Sequence, residues 1–443
     1  MSAAPVGLSE RLDGLPLSRF HWRLVAASGA GWMFDAMDIA LVAFVLPVVA
    51  KEWGLTPWQV GWGASATLIG MLFGAVAAGT LADRFGRKTL FLATLLLFSA
   101  ATGLCAFAWS FRSLVAMRFL VGLGLGGELP IAAAFVAEFA PRLHRGKLVI
   151  LLDTFWAFGW TGAALLSWAM IARWGWRSVF LVGSLPAFYA LYLRRALPES
   201  PRFLAEAGRH DEAVAVVRAI EAECGQPAAP LRASSPPGPR QGFLDLWAKG
   251  AAKQTAMLWI LWFVMGYTYF GIYSWLPSLL VASGHTLVKS FWYTLLIAAA
   301  QAPGFASAAL FVDRYGRVPT LTAYRLLLAV ACFFFGWHAS TPAQIVFWGA
   351  MISFFGMGSW GVAYAYTTEI YPTGLRATGG GWATACARVG GIVAPLAIGW
   401  IMGTSGSQKV VFWHMTAITV LGAAAVAILG KETREQSLEA ASS

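Results

Sequence analysis

Charge is what this chain has least of: Asp, Glu, Lys and Arg make up 12% of its 443 residues, where a soluble domain carries about 25%. An ordinary water-soluble globular protein is thereby excluded. Cysteine is scarce as well, and Cys105, Cys224, Cys332 and Cys386 form no C-x-x-C pair, so neither a disulfide framework nor a metal cluster is expected. Three of these cysteines lie in apolar runs and read as small buried hydrophobes. No metal-spaced His cluster, Ser-His-Asp set or nucleotide loop stands in a plausible context, so no enzyme activity, cofactor or metal is expected. The first 20 residues hold Glu10, Arg11, Asp13 and Arg19 without an apolar core or a cleavage site. A cleaved signal peptide is not expected there, and the amino terminus is assigned to the cytosol.

What is abundant is apolar surface: 58% of the residues are hydrophobic, with 22 Trp and 47 Gly. That is more than one aqueous core can hide, and it predicts an integral membrane protein. A helix needs roughly 20 apolar residues to cross the hydrocarbon layer. Twelve segments qualify, at about 22–49, 57–82, 88–109, 112–137, 147–172, 177–196, 254–282, 289–312, 319–337, 342–366, 377–401 and 408–429. The predicted fold class is an all-α membrane protein of two six-helix halves, 1–197 and 254–443. They are joined by a polar linker, 198–253, with a helical-looking piece at Gly208–Cys224 and the Pro- and Ser-rich run RASSPPGPR.

The net charge of +11 could suggest nucleic acid, but the charges lie mainly between the apolar runs. With both termini inside, 23 of the 32 Lys and Arg fall on the cytosolic side, six outside, and three (Arg118, Arg325, Arg388) within helices. This bias supports the orientation and accounts for the basicity without nucleic acid.

The halves repeat each other. GTLADRFGRK (79–88) returns as ALFVDRYGRV, setting Asp83 over Asp313 and Arg87 over Arg317 at an offset of 230. EFAPRLHR returns as EIYPTGLR, setting Glu138 over Glu369 and Arg145 over Arg376 at an offset of 231. Leu46, Pro47 and Gly54 return as Leu276, Pro277 and Gly284, again at 230. Six spans bring the chain back to the side it left, so the halves have parallel topology and can pack about an axis along the membrane normal.

With these motifs the chain resembles the major facilitator superfamily over nearly its whole length. The residues that carry the resemblance are GTLADRFGRK and its copy VDRYGR, RFLVGLGLGGELP, PESPRFL and EIYPTGLRATG. The combination looks like the sugar-porter and organic-ion branch. FDAMDIALVAFVLP and GLGLGGELP look most like bacterial nicotinate (niacin) transporters and relatives of the synaptic-vesicle protein group. The resemblance implies secondary active transport by alternating access, with the substrate site between the halves. It also implies a cytosolic gate held by Asp83, Arg87, Glu138, Arg145, Asp313, Arg317, Glu369 and Arg376; the alternative is charge that only sets topology.

Charges inside membrane spans are expensive and usually mark a pathway. Asp35 and Asp38, spaced i,i+3 on the first segment, share one helix face, where paired carboxylates make a proton acceptor of useful affinity. Either could instead pair with a basic residue of a neighbouring helix. Glu128 is the third acid of this kind, read as a proton carrier or as an ion-pair partner, with Arg118 one candidate. Arg388 is read as the only basic residue at the midplane of the carboxy-terminal half. Its guanidinium can grip a carboxylate through two parallel hydrogen bonds, or can face one of the three acids. Aromatics crowd the same segments, and Trp32, Phe155, Trp156, Tyr267, Tyr269, Tyr273, Trp360 and Tyr364, with Asp35, complete the candidate substrate contacts. Packing or interface anchoring is the competing role for any one ring. Gly122, Gly124 and Gly127 satisfy G-x-G-x-x-G, but no strand precedes them, so a dinucleotide fingerprint is rejected. Gly122 and Gly126 are instead spaced for close helix contact.

The resulting expectation is a monomeric, proton-coupled importer of a small aromatic carboxylate such as nicotinate, in a bacterial-type inner membrane. Its partners would be the substrate, protons and lipid. A carrier of an organic cation or zwitterion, or a non-transporting receptor on the same scaffold, are the rival readings.

Overall fold

The structure, a computed structural model, describes residues 6–141, 144–226, 231–232, 243–248, 251–371 and 373–434. Helices dominate it. In chain order they are α1 (Leu8–Asp13), α2 (Arg19–Trp53), α3 (Pro57–Phe85), α4 (Arg87–Cys105), α5 (Phe111–Phe139), α6 (Arg145–Trp174), α7 (Trp176–Gly183) and α8 (Pro186–Ala196). Two short helices follow, α9 (Pro201–Glu206) and α10 (His210–Glu223). The remainder are α11 (Ala252–Ala282), α12 (Leu287–Ala299), α13 (Gln301–Tyr315), α14 (Arg317–His338), α15 (Pro342–Ile370), α16 (Thr373–Ser405) and α17 (Gln408–Leu429). Two-residue strands, β1 (Val6–Gly7) and β2 (Leu231–Arg232), pair in parallel.

Among the described residues, ten helices or helix pairs are long and apolar enough to cross a membrane. The other two predicted spans are occupied by α5, of 29 residues, and by the α7–α8 pair. Two segments expected as single helices, 177–196 and 289–312, are each broken in two, and proline is the reason. Pro186 and Pro303 lack a backbone donor, and each ring crowds the carbonyl four residues earlier. Pro47, Pro277 and Pro395, in contrast, are carried inside α2, α11 and α16. The helical piece read at Gly208–Cys224 is α10.

The sequence repeat recurs in the backbone. Thr56 and Thr286 cap α3 and α12, accepting from the backbone N–H of Gln59 and Lys289 at 3.3 Å each. Ser110 and Thr341 close capping boxes on α5 and α15, which offsets the donors that a helix start leaves unpaired. Gly86 and Gly316 sit at φ 91 and 93, a region open to glycine but strained for other residues. The helix crossings repeat too. A Cβ on Gly159 would lie 2.4 Å from the Met33 carbonyl oxygen, and one on Gly390 2.2 Å from that of Phe263. Glycine is therefore what lets α6 touch α2, and α16 touch α11, backbone to backbone. Gly126 plays this part on α5, where a Cβ would stand 2.2 Å from the Met71 carbonyl oxygen.

The chain forms two compact units: Met1–Ile39 with Ile69–Trp160 and Arg177–Pro237, and Ala40–Leu68 with Thr161–Trp176 and Gly238–Ser443. In the first, α1 is tied to α10 by the Arg11–Glu221 ion pair, and Arg23 reaches Glu223 at 3.0 Å. In the second, segments from early in the chain pack on the later helices. Ser65 Oγ donates to the Ile392 carbonyl at 2.8 Å, and ring pairs Phe44–Phe291 and Trp168–Trp292 stand 5.3 and 5.7 Å apart.

Candidate functional site

In the first unit, α2 delivers Asp35 and Asp38 to one buried face, at 1% and 0% exposure. Asp38 is gripped from two other helices. Its Oδ2 accepts from Arg118 Nη2 of α5 at 2.8 Å, and its Oδ1 accepts from Thr102 Oγ1 of α4 at 2.5 Å. Arg118 Nη2 also donates to the Asp38 carbonyl at 3.3 Å, and its guanidinium lies 5.7 Å from the centre of the Phe180 ring. Two opposite charges with further hydrogen bonds are the arrangement in which burial of an ion pair is tolerated. Arg118 was open to pairing with Glu128 on sequence grounds; its described carboxylate partner is Asp38, and the Glu128 side chain lies outside the described residues. The rings of Trp32 and Trp156 meet at 4.9 Å, and Phe155 lies over the backbone of Gly29.

In the second unit, aromatic residues of α11 and α15 form one continuous run. Tyr273 and Tyr269 stand 4.6 Å apart, Tyr269 and Trp360 6.0 Å, and Trp360 and Tyr364 6.0 Å. Arg388, on α16, lies in the neighbourhood of Tyr364. Buried polar partners fix the tyrosines: Tyr273 hydroxyl with Ser353 Oγ, and Tyr269 hydroxyl donating to Gln301 Oε1 at 3.4 Å. Tyr267 turns elsewhere, its hydroxyl 2.7 Å from His414 Nε2 of α17.

Arg388 is not the only cation inside the carboxy-terminal helices. Arg325, passed over as a candidate, is 1% exposed on α14 and donates from Nη1 to Thr268 Oγ1 at 3.3 Å. A lone Arg in an apolar run gives no direction for its side chain, and burial became visible only once α14 was seen against α11.

The charged loops form matching locks. Arg317 donates to Glu369 through Nε at 2.8 Å and Nη2 at 2.6 Å, a fork on a carboxylate. Thr433 Oγ1 adds a bond to Glu369 at 2.6 Å, and Glu432 accepts the backbone N–H groups of Arg317 and Val318 at 3.0 and 2.9 Å. The first half repeats the plan. Ser200 Oγ donates to Glu138 at 2.5 Å, and Glu199 accepts the Lys88 N–H at 3.0 Å. Carboxylates at the starts of α4 and α14 suit the positive ends of those helices. Glu199 and Ser200 enter the sequence reading only within the motif PESPRFL, and Glu432 and Thr433 not at all, although Glu-Ser and Glu-Thr recur at an offset of 233. The side chains of Asp83, Arg87, Arg145, Asp313 and Arg376 lie outside the described residues.

Long apolar helices in a repeated array, with an ion pair and a guanidinium sealed among them, define a multi-pass integral membrane carrier of the major facilitator fold. The chain belongs to the sugar (and other) transporter family, which matches residues 32–443. It is 44% identical to the niacin transporter NiaP of Acinetobacter baylyi over 98% of this chain and 99% of that one. It is 38% identical to the putative niacin/nicotinamide transporter NiaP of Bacillus subtilis, over 94% and 98% of the respective chains. Its fold is similar to the inward open conformation of the xylose transporter XylE from E. coli, with a TM-score of 0.74 at 19% identity over 95% of this chain and 99% of that one. These relatives are carriers by name, and the chain is a transporter rather than an enzyme.

Proposed function

We propose that this chain imports a small aromatic carboxylate, nicotinate foremost, in symport with protons. The observation that carries the reading is the run of rings Tyr273, Tyr269, Trp360 and Tyr364 that leads to Arg388. Flat rings flanking a pyridine and a forked cation at its carboxylate are the chemistry such an anion calls for. The niacin-related names of the two bacterial relatives point the same way. Trp32, Phe155 and Trp156 are assigned a stacking role beside Asp35, and Tyr267 holds α11 to α17.

Proton coupling is assigned to Asp38, with Asp35 and Glu128 as further carriers. A proton on Asp38 neutralises the carboxylate and leaves the Arg118 guanidinium uncompensated, so loading a proton changes which helix packing is favoured. The Arg317–Glu369 fork and its first-half counterpart belong to the cytosolic gate and part when that side opens. Residues 1–197 and 254–443 are the two transporting halves and 198–253 the linker, in a monomer whose termini both lie in the cytosol at the bacterial inner membrane.

Uptake of labelled nicotinate into proteoliposomes, with and without an inwardly directed proton gradient, tests this reading. A gradient should accelerate uptake and unlabelled nicotinate inside should drive counterflow, with nicotinamide a poor competitor. Arg388→Ala should weaken nicotinate binding about tenfold or more, the loss of a charge-assisted pair. Transport of a quaternary pyridinium in its place, strengthened by Arg388→Ala, would overturn the substrate class.

A further inference from the structure

Arg325 lies on α14 eight residues from its start at Arg317 and thirteen from its end at His338, about 12 Å of helix from the nearer end. At 1% exposure its guanidinium does not reach either end. Arginine stays protonated in proteins, so this is a permanent charge held within the helix packing. Yet Nε and Nη2 have no hydrogen-bond partner, and among the described residues no carboxylate forms an ion pair with it. No aromatic ring stacks on it either among those residues. Its hydrogen bond among the described residues is to the Thr268 hydroxyl, whose own proton goes to the Val264 carbonyl at 2.8 Å, which leaves the oxygen free to accept.

The guanidinium borders a small cavity with Thr268, Tyr269, Tyr273 and Trp360. The space beside it is narrow, about large enough for one water-sized group. Nearby, Gln301 is fully buried and its Nε2 is a second donor without a partner. Among the described residues the lining therefore holds a guanidinium and no carboxylate, with the Gln301 amide beyond Tyr269. A buried charge is retained when an opposite charge neutralises it.

We propose that Arg325 is an anion site: it binds a small monovalent anion, as a free halide or as the carboxylate group of a substrate. The halide form stands whether or not nicotinate is the transported compound. The carboxylate form rests on nicotinate being the transported compound, as proposed above, and makes Arg325 rather than Arg388 the group that holds its carboxylate.

The test is thermal unfolding of the full-length protein in lipid nanodiscs, titrated with chloride and, separately, with nicotinate, in a gluconate background. A ligand that binds the folded state raises the melting temperature in proportion to its saturation. Arg325→Met, Arg325→Lys and, as a reference, Arg388→Met are measured beside the natural chain. A chloride-dependent rise that Arg325→Met abolishes and Arg388→Met keeps identifies a free-halide site. A rise with nicotinate, absent with nicotinamide and lost in Arg325→Met, identifies the substrate carboxylate as the occupant. If the Met variant does not fold, Arg325→Lys decides: it keeps a point charge and loses the fork, so affinity should drop at least about tenfold, a shift of 1.4 kcal/mol. The proposal is overturned if neither anion moves the natural chain, or if the folded Arg325 variants respond as it does. Failure of nicotinate uptake together with an Arg325-dependent chloride effect would sink the proposed substrate and leave this site in place.

Discussion

Arg118 and Arg325 invite comparison, since both are 1% exposed and both sit well inside long helices, one in each half of a repeated chain. Arg118 faces the Asp38 carboxylate at 2.8 Å, with Thr102 completing the carboxylate's bonds. Among the described residues, the hydrogen-bond partner of the Arg325 side chain is the hydroxyl of Thr268. The framework duplicated, down to the caps and the glycine crossings, but its buried electrostatics did not. Among the described residues, the first half pairs its buried arginine with a carboxylate, and Arg325 in the second has no carboxylate partner. The two halves thus share a scaffold and differ in how a buried arginine is met, by a carboxylate at Arg118 and by a hydroxyl at Arg325.

Removing each arginine breaks this comparison most sharply. Arg118→Met leaves the Asp38 carboxylate buried without its partner and should destabilise the folded protein by about 3–5 kcal/mol. Arg325→Met, measured without added anion, should be neutral or stabilising, because it removes a buried charge that no carboxylate among the described residues offsets. Thermal unfolding in detergent distinguishes the two, and equal losses would show that the halves do not differ. Asp38→Asn combined with Arg118→Met should recover most of the first loss.

The shared framework predicts equal effects at paired positions. Gly159→Leu and Gly390→Leu each push a side chain into a neighbouring backbone carbonyl, and each should cost about 2–3 kcal/mol, read as matching falls in melting temperature. A large loss at one position alone would mean that the crossings are not equivalent. Smallest, Glu199→Gln and Glu432→Gln weaken carboxylate bonds to the first N–H groups of α4 and α14. About 1 kcal/mol each is expected from the helix dipole and the hydrogen bonds, checked as faster amide exchange at Lys88 and Val318.

Much of this architecture was legible in the residues. The offset of 230 matched Gly54 with Gly284, and both prove to sit at positive φ, 61 and 88; the i,i+3 spacing placed Asp35 and Asp38 on one helix face, and that face is buried. The helix breaks were less legible, because five prolines discussed here sit in similar apolar runs and only Pro186 and Pro303 interrupt them; neighbouring contacts decide which helix can carry one. The partner of Arg118 was hidden for another reason. Asp38 and Glu128 are both plausible by composition, and the choice is made by how α5 is rotated against α2, which periodicity does not encode. Arg325 went unnoticed as a site because its meaning lies in what is missing around it.

The Asp38–Arg118 tie also bears on biogenesis. The two residues are 80 positions apart, so at a synthesis rate of 5–20 residues per second the carboxylate precedes its guanidinium by roughly 4–16 s. Throughout that interval α2 carries an acid that the hydrocarbon rejects. The first helix is apolar enough to insert, but its packing against α4 and α5 through Asp38 can be completed only once α5 has emerged, so this half closes late in its own synthesis.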